Sequence, residues 1–265
     1  MPDALPTLPH LALELDDGLL RVAIDRPTKR NAINDALIES LNTLFSHPPT
    51  ETRVAVLTGL GDHFSAGLDL SEHREREPLE VLRHSQAWQA TFHQIEFGGL
   101  PVVAALHGAV IGGGLELALA AHVRVAEPST FYQLPEGRRG IFVGGGASVR
   151  VARVLGADRT REMMLTGRRY AADEGQRLGL SHYLVEPGAA YARACTLARR
   201  IATNAPVSNH MMLTALARID NMAMTEGLFT ESLAAALTQT SSHAREGMQA
   251  FLDKRDRDLD IDIDD

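Results

Sequence analysis

Three consecutive glycines, Gly112 to Gly114, separate two apolar runs of different kind in PVVAALHGAVIGGGLELALAA, Pro101 to Ala121. Pro101 to Leu106 reads as a buried strand, and an alanine- and leucine-rich run beginning near Leu115 reads as a helix, with His107 and Gly108 between. The stretch therefore demands a strand, a glycine turn and a helix in close succession. The first turn of a helix leaves backbone N–H groups without intrahelical partners and carries partial positive charge, and glycines let another molecule approach those donors. Such a turn can hold a developing oxyanion. Glu116 follows Gly113 by three residues, about one helical turn, so its carboxylate projects near the face to which the Gly113 N–H points. A second reading is equally open: the acid compensates the helix dipole and the glycines allow close packing.

The surrounding composition is that of a globular chain able to bury a full core, 265 residues with 45% hydrophobic and 23% charged. A formal charge of -8 and a pI near 5.8 argue against sequence-independent binding to nucleic acid or to anionic membrane, both of which need basic surface. The N-terminus MPDALPTLPH has neither a charged n-region nor an apolar h-region, and the long apolar stretch is interrupted by His107, Glu116 and glycines. A cytoplasmic protein is expected. Cys195, the single cysteine, lies in the helical pattern AYARACTLARR; it forms no intrachain disulfide and reads as a packed residue.

Along the chain, Leu11 to Leu15 and Leu20 to Ile24 flank Asp16-Asp17-Gly18, which is hairpin chemistry. A polar loop, Thr28 to Asn31, precedes a helix capped by Asn34 with one apolar face, Leu37, Ile38, Leu41, Leu44 and Phe45. Val54 to Leu57 is a strand leading to the small, apolar, glycine-containing loop HFSAGLDL, His63 to Leu70. The charged segment Ser71 to Pro78 and a helix over 79–97 are placed to cover a site. Strand signals recur at Val123 to Ala126 and Tyr183 to Val185, and helical ones at Ala147 to Leu155, Arg159 to Leu165 and Ala171 to Leu178. Beyond Gly188 the pattern is helical, and RDRDLDIDIDD reads as a solvated, disordered tail. This predicts an α/β core over 1–187, a helical region over 188–255 and an acidic tail over 256–265.

Several chemistries lack their spacing. GIFVGGGAS has no Lys-Ser or Lys-Thr pair after its glycines, and TGLGDHF has two of the three glycines of a dinucleotide fingerprint. There is no GxSxG elbow, no HExxH and no cysteine pair. The eleven histidines are scattered, and no metal site is expected. Carboxylates and backbone amides remain. A second acid, Glu136, follows Pro135, whose ring fixes how it is presented. Two glutamates near one oxyanion site suit proton transfer next to a carbonyl.

In order and spacing, DRPTKRNAIN, HFSAGLDL, GAVIGGGLELALA, STFYQLPEG, GGGASVRVARVLG, LTGRRYAADEGQRLGL and EGMQAFLDKR resemble the crotonase superfamily, in particular the enoyl-CoA hydratases and isomerases, over nearly the whole chain. The resemblance implies a spiral of ββα units with a C-terminal helical region for trimer assembly, often as a dimer of trimers. It places the oxyanion donors on the N–H groups of Leu68 and Gly113 and the catalytic pair on Glu116 and Glu136. It assigns contacts to the coenzyme A of the substrate to Arg30, Ala32, Ala66, Asp69, Leu70, Gly112 and Pro135, with Lys254 at the phosphate end. No separate cofactor is implied. The activity it implies is hydration of a 2-enoyl-CoA, with an isomerase, another CoA-thioester lyase or hydrolase, or a silent acyl-CoA binder as alternatives. Three departures stand out: His122 for an aspartate, Val143 for a proline, and Gly137, Arg138 and Arg139 for small or aliphatic residues. An arginine aimed at Glu136 would lower its pKa and weaken it as an acid; both arginines are expected to point away.

Overall fold

The computed structural model describes residues 5–72 and 75–253. The chain divides into two compact units, 1–202 and 203–265. The first opens with a hairpin, β1 (Leu11–Asp16) and β2 (Leu19–Ile24), closed by Asp17 and Gly18 at φ 47° and 75°. Positive φ at both loop positions is what a two-residue hairpin needs to match the strand twist. Asn34 caps α1 (Asp35–Ser46), its side chain accepting from the Leu37 N–H, and β3 (Val54–Gly59) returns parallel to β2. Next come α2 (Pro78–Phe97), β4 (Val102–Leu106), β5 (Ala109–Ile111) and α3 (Gly113–Ala118). β6 (Val123–Ala126) and β7 (Phe131–Gln133) lead to a tight turn at Glu136–Arg139. The unit closes with α4 (Ala147–Leu155), α5 (Ala157–Thr166), β8 (Tyr170–Ala171), α6 (Ala172–Arg177), β9 (Tyr183–Leu184) and α7 (Ala190–Ala202).

The strands form a six-stranded sheet in the order β1-β2-β3-β4-β6-β9, parallel except for the hairpin, and a three-stranded sheet β5-β7-β8. Alternation along a strand sends neighbours to opposite faces. Leu20, Val22, Ala55, Leu57, Val102 and Ala104 thus meet α1 and α2 through Leu41, Leu44, Trp88 and Phe92. Leu19, Val54, Val56, Val103, Ala105 and Val125 meet Ala190, Ala194, Cys195 and Ala198 of α7 on the other face. Small residues on α7 let it lie close on the sheet, which groups it with the first unit although the sequence pattern starts the helical region at 188.

Two sequence expectations change here. The central stretch contains an extra strand, β5, and its helix begins at Gly113 and ends at Ala118 instead of running from Leu115. A three-residue strand is too short to show a period, and all six residues of α3 are buried, so no polar face marks its limits. His122 proves to be a backbone clip: its Nδ1 accepts from the Val102 N–H at 2.9 Å and its Nε2 donates to the Glu96 carbonyl at 3.0 Å. It joins the end of α2 to the start of β4.

The second unit is helical. α8 (Pro206–Met211) continues through a wider π-helical turn, Met212–Leu216, into α9 (Ala217–Ile219), followed by α10 (Met224–Gln239) and α11 (Ser242–Leu252). No helix of the described residues is long and apolar enough to cross a membrane.

Candidate active site

The loop after β3 is threaded between two partners. Ile33 donates to the Gly67 carbonyl at 2.7 Å and accepts from the Asp69 N–H at 2.9 Å, a parallel bridge centred on Leu68. Because the two neighbours of Leu68 face Ile33, its own N–H points the other way. On that side lies the glycine turn. Gly67, at φ 84°, approaches so closely that a Cβ there would stand 2.5 Å from the Ile111 carbonyl and 3.1 Å from the Gly113 nitrogen. A Cβ on Gly113 would stand 3.6 Å from the Leu68 nitrogen. Among the described residues, no acceptor takes the N–H of either Leu68 or Gly113. The expected donors are therefore neighbours, and both are unclaimed.

The RPTKRNAIN loop supports this approach from behind. Arg30 and Asn31 both adopt φ 53°, and the fully buried Asn31 side chain accepts from the Arg26 N–H and donates to the carbonyls of Leu60 and His63. Asn tolerates the left-handed region better than other non-glycine residues. The Asn31 carbonyl holds the Ser65 hydroxyl at 2.8 Å and the Arg30 carbonyl takes the Ala66 N–H at 3.0 Å. Asn31 is the organiser that sequence reasoning passed over.

Glu116 and Glu136 converge from different elements. Glu116, 3% exposed, lies on α3, and one oxygen accepts the N–H groups of Gly145 and Ala147, each at 2.9 Å. Burial raises its pKa, while those two donors and the more distant Arg150 oppose the rise. Glu136, 7% exposed, is delivered by the turn after β7, with Oε1 on the side of Gly112 where a Cβ would point. A Cβ on Gly112 would come within 2.6 Å of that oxygen. Burial pushes the Glu136 carboxyl up to about 7; its own N–H resists, and the nearby Glu116 charge adds to the rise. Among the described residues, its Oε2 has no hydrogen-bond partner.

Leu68, Gly113, Glu116 and Glu136 share the wall of one cavity of about 160 Å³. The rest of the wall comes from Arg76, from α2 through Val81, His84, Ser85 and Trp88, and from the 141–145 segment through Ile141, Phe142, Val143, Gly144 and Gly145. Val143 is thus a wall residue. The position of α2 fits the expected cover, and its Ser85 and Gln89 side chains both donate to the Gly144 carbonyl, at 2.7 and 3.0 Å. The wall residues of α2 recur every three or four positions, a signal visible in the sequence but indistinguishable there from an ordinary core face.

The Arg138 guanidinium donates to the Thr166 carbonyl at 2.7 Å, and neither Arg138 nor Arg139 lines the cavity. Arg139 opposes the rise in the Glu136 pKa less than burial and Glu116 promote it. The other expected contact residues are not part of the lining. Arg30 and Leu70 are exposed, while Ala32 and Pro135 are buried, and Gly112 backs Glu136. The Asp69 carboxylate is committed to Arg26 at 2.8 Å and to the Ser71 hydroxyl at 2.6 Å. Burial alone would raise its pKa, but these bonds outweigh it and hold the group at about 2. Lys254 lies outside the described residues, as does the tail over 256–265. Among the described residues, no group of three or more His, Cys, Asp or Glu is arranged to hold a metal ion.

Comparison with known proteins matches residues 14–260 to the family described as enoyl-CoA hydratase/isomerase. A short-chain-enoyl-CoA hydratase of Clostridium acetobutylicum is 30% identical over 251 residues, 94% of this chain and 96% of the relative. The human mitochondrial enoyl-CoA hydratase domain-containing protein 2 is 33% identical over 91% of this chain and 85% of its own length. A crystal structure from Rhodopseudomonas palustris, provisionally named an enoyl-CoA hydratase, is 49% identical with a TM-score of 0.91, covering 95% of this chain and 98% of that one. The family match runs through both glutamates and the helices after α7, so the chain belongs to the enoyl-CoA hydratase/isomerase family and has the crotonase fold.

Proposed function

We propose that the protein is an enoyl-CoA hydratase, adding water across the double bond of a 2-enoyl-CoA thioester. The observation that carries this reading is the pair of buried glutamates on one cavity wall with two unclaimed backbone N–H groups. The thioester oxygen accepts from Leu68 and Gly113, which stabilises the negative charge that builds there as water attacks C3. Glu116, with two backbone donors on one oxygen, acts in its ionised form: it orients the water and takes a proton from it. Glu136, with a pKa of about 7, retains a proton in a large fraction of molecules at neutral pH and gives it to C2. The product is the 3-hydroxyacyl-CoA, and one proton transfer between the glutamates restores the site. The family resemblance, and not the cavity lining, assigns the coenzyme A portion to Arg30, Ala32, Ala66, Asp69, Leu70, Gly112 and Pro135, and its phosphates to Lys254.

An isomerase moves a proton between two carbons, which one carboxylate can perform, whereas hydration must also orient a water. Incubating a 2-enoyl-CoA in doubly labelled water tests the distinction. The expected product carries solvent oxygen at C3 and solvent hydrogen at C2. Double-bond migration without oxygen incorporation would replace the hydratase by an isomerase, and tight binding with neither label would leave a silent binder.

A further inference from the structure

Glu116 takes its hydrogen bonds from a stretch that begins with three glycines, Gly144 to Gly146, and glycine has more backbone freedom than any other residue. The run is nevertheless tied at every carbonyl. Ser85 and Gln89 of α2 hold that of Gly144, and that of Gly146 accepts the N–H groups of Val149 and Arg150 as α4 begins. The tie on Gly145 is a side chain: the Arg150 guanidinium donates to its carbonyl at 3.0 Å. Gly145 is thus clamped on both sides, its carbonyl by Arg150 and its N–H by Glu116. The guanidinium also lies so close to Gly146, at φ 117°, that a Cβ there would collide with it.

Arg150 is itself held from a third element. Its Nε donates to the Glu96 carboxylate at 2.6 Å, and the two side chains are only 11% and 17% exposed. Glu96 lies in the last turn of α2, where its carbonyl accepts from His122. Arg150 is not part of the cavity lining, so it reaches the chemistry through Gly145 and Glu116. We propose that Arg150 is a positioning residue for the Glu116 base: aimed by Glu96, it fixes the backbone donors that meet Glu116 and stations a positive charge near it. The charged and titratable groups that face Glu116 are Arg150 from α4, Glu136 from the turn after β7 and, along the same cavity, Arg76 and His84, both of which bond to Asp35. The Arg150 charge opposes the rise that burial imposes on the Glu116 carboxyl. The proposal rests on the hydratase reading for its rates but not for its titration.

Two measurements on the full chain test it. One is the Glu116 titration midpoint, read by NMR from protein labelled at its glutamate carboxyl carbons, with the signal assigned by its loss in Glu116→Gln. The other is hydration kcat/KM against pH. Arg150→Gln should raise the midpoint, and on the acid side of the profile kcat/KM should fall about tenfold and recover as pH rises, since one unit of pKa is tenfold in the ionised fraction. Affinity for a saturated acyl-CoA should hold. Arg150→Lys keeps the charge and should return the midpoint most of the way to wild type. Glu96→Gln keeps both the Arg150 charge and an acceptor for Nε, and should leave the midpoint in place. A purely structural ion pair predicts a different outcome: breaking it from either side leaves a buried charge unpaired, so both single variants would melt lower and neither would move the midpoint. That result, or equal midpoint shifts in Arg150→Gln and Glu96→Gln, would overturn the proposal. Should Arg150→Gln fold poorly, combining it with Glu96→Gln removes both charges at once, and the midpoint should still rise; an unmoved midpoint there would overturn the proposal equally. If wild type hydrates no enoyl-CoA, the hydratase reading fails, and the titration still decides the role of Arg150.

Discussion

Glu116 and Glu136 are the same residue type in one cavity, yet their surroundings separate them. Two backbone N–H groups converge on one oxygen of Glu116, while Oε2 of Glu136 meets no donor among the described residues. Replacing either by glutamine keeps the shape and removes the proton chemistry, so Glu116→Gln and Glu136→Gln should each lower kcat about 10²-fold or more, with acyl-CoA affinity largely retained. Near-normal turnover in a folded variant would remove that residue from the mechanism. If Glu136 must be protonated, kcat should decline as pH rises above about 7. Stability should follow the same group. A folded-state pKa raised from 4.5 to about 7 contributes stability that is full below 4.5 and lost as pH rises through 7. At ~1.4 kcal/mol per unit the loss is on the order of 3 kcal/mol. Denaturant titrations of wild type and Glu136→Gln at about pH 5 and about pH 8.5 should therefore converge in favour of the variant at the higher pH. Parallel pH dependence of the two would refute a raised pKa.

At the scale of elements, histidines serve as neutral backbone clips. His122 ties α2 to β4, and the Nδ1 of His182 accepts from the Arg124 N–H at 3.0 Å as the chain enters β9. Burial depresses both, His182 to about 4 with help from the Arg124 charge. A histidine depressed in the folded state resists protonation there, so stability is present above the unfolded value of 6.5 and is lost as pH falls from there toward about 4. His122→Ala should leave the buried Val102 N–H without a partner and cost about 1–3 kcal/mol. It should also reduce the acid sensitivity. A thermal melt of the variant that tracks wild type at every pH would show that the clip carries no stability. His122 looked in the sequence like a departure from the family pattern; in the fold it joins α2 to β4 through its two ring nitrogens.

Assembly belongs to the whole molecule. In residues 203–253 many large apolar side chains are exposed, among them Leu216 and Phe229 at 66% and Leu252 at 72%. Apolar helical faces of this extent are stable when another surface covers them, and copies of the same chain are the usual cover. We expect a trimer or a multiple of one, as the family resemblance implies. Multi-angle light scattering that returned a stable monomer at working concentration would sink this expectation.

Much of this was legible in the chain itself. Asp17-Gly18 closes the first hairpin, Asn34 caps α1, and the Gly112 to Gly114 run announces a close backbone approach, because each depends on neighbours within a few residues. The order of short motifs was enough to propose Leu68, Gly113, Glu116 and Glu136 as a set. Tertiary structure decided what those residues are physically. It brought the Leu68 N–H beside Gly113 through the bridge to Ile33, and it turned Arg138 toward Thr166. It also set the Glu136 pKa near 7 and built the cavity wall from α2 and the 141–145 segment. Hydrogen bonding across a bridge, desolvation of a carboxyl group and the shape of a void arise from contacts between residues tens of positions apart. A local pattern shows that such residues are present; only the folded chain fixes their distances and the solvent they exclude.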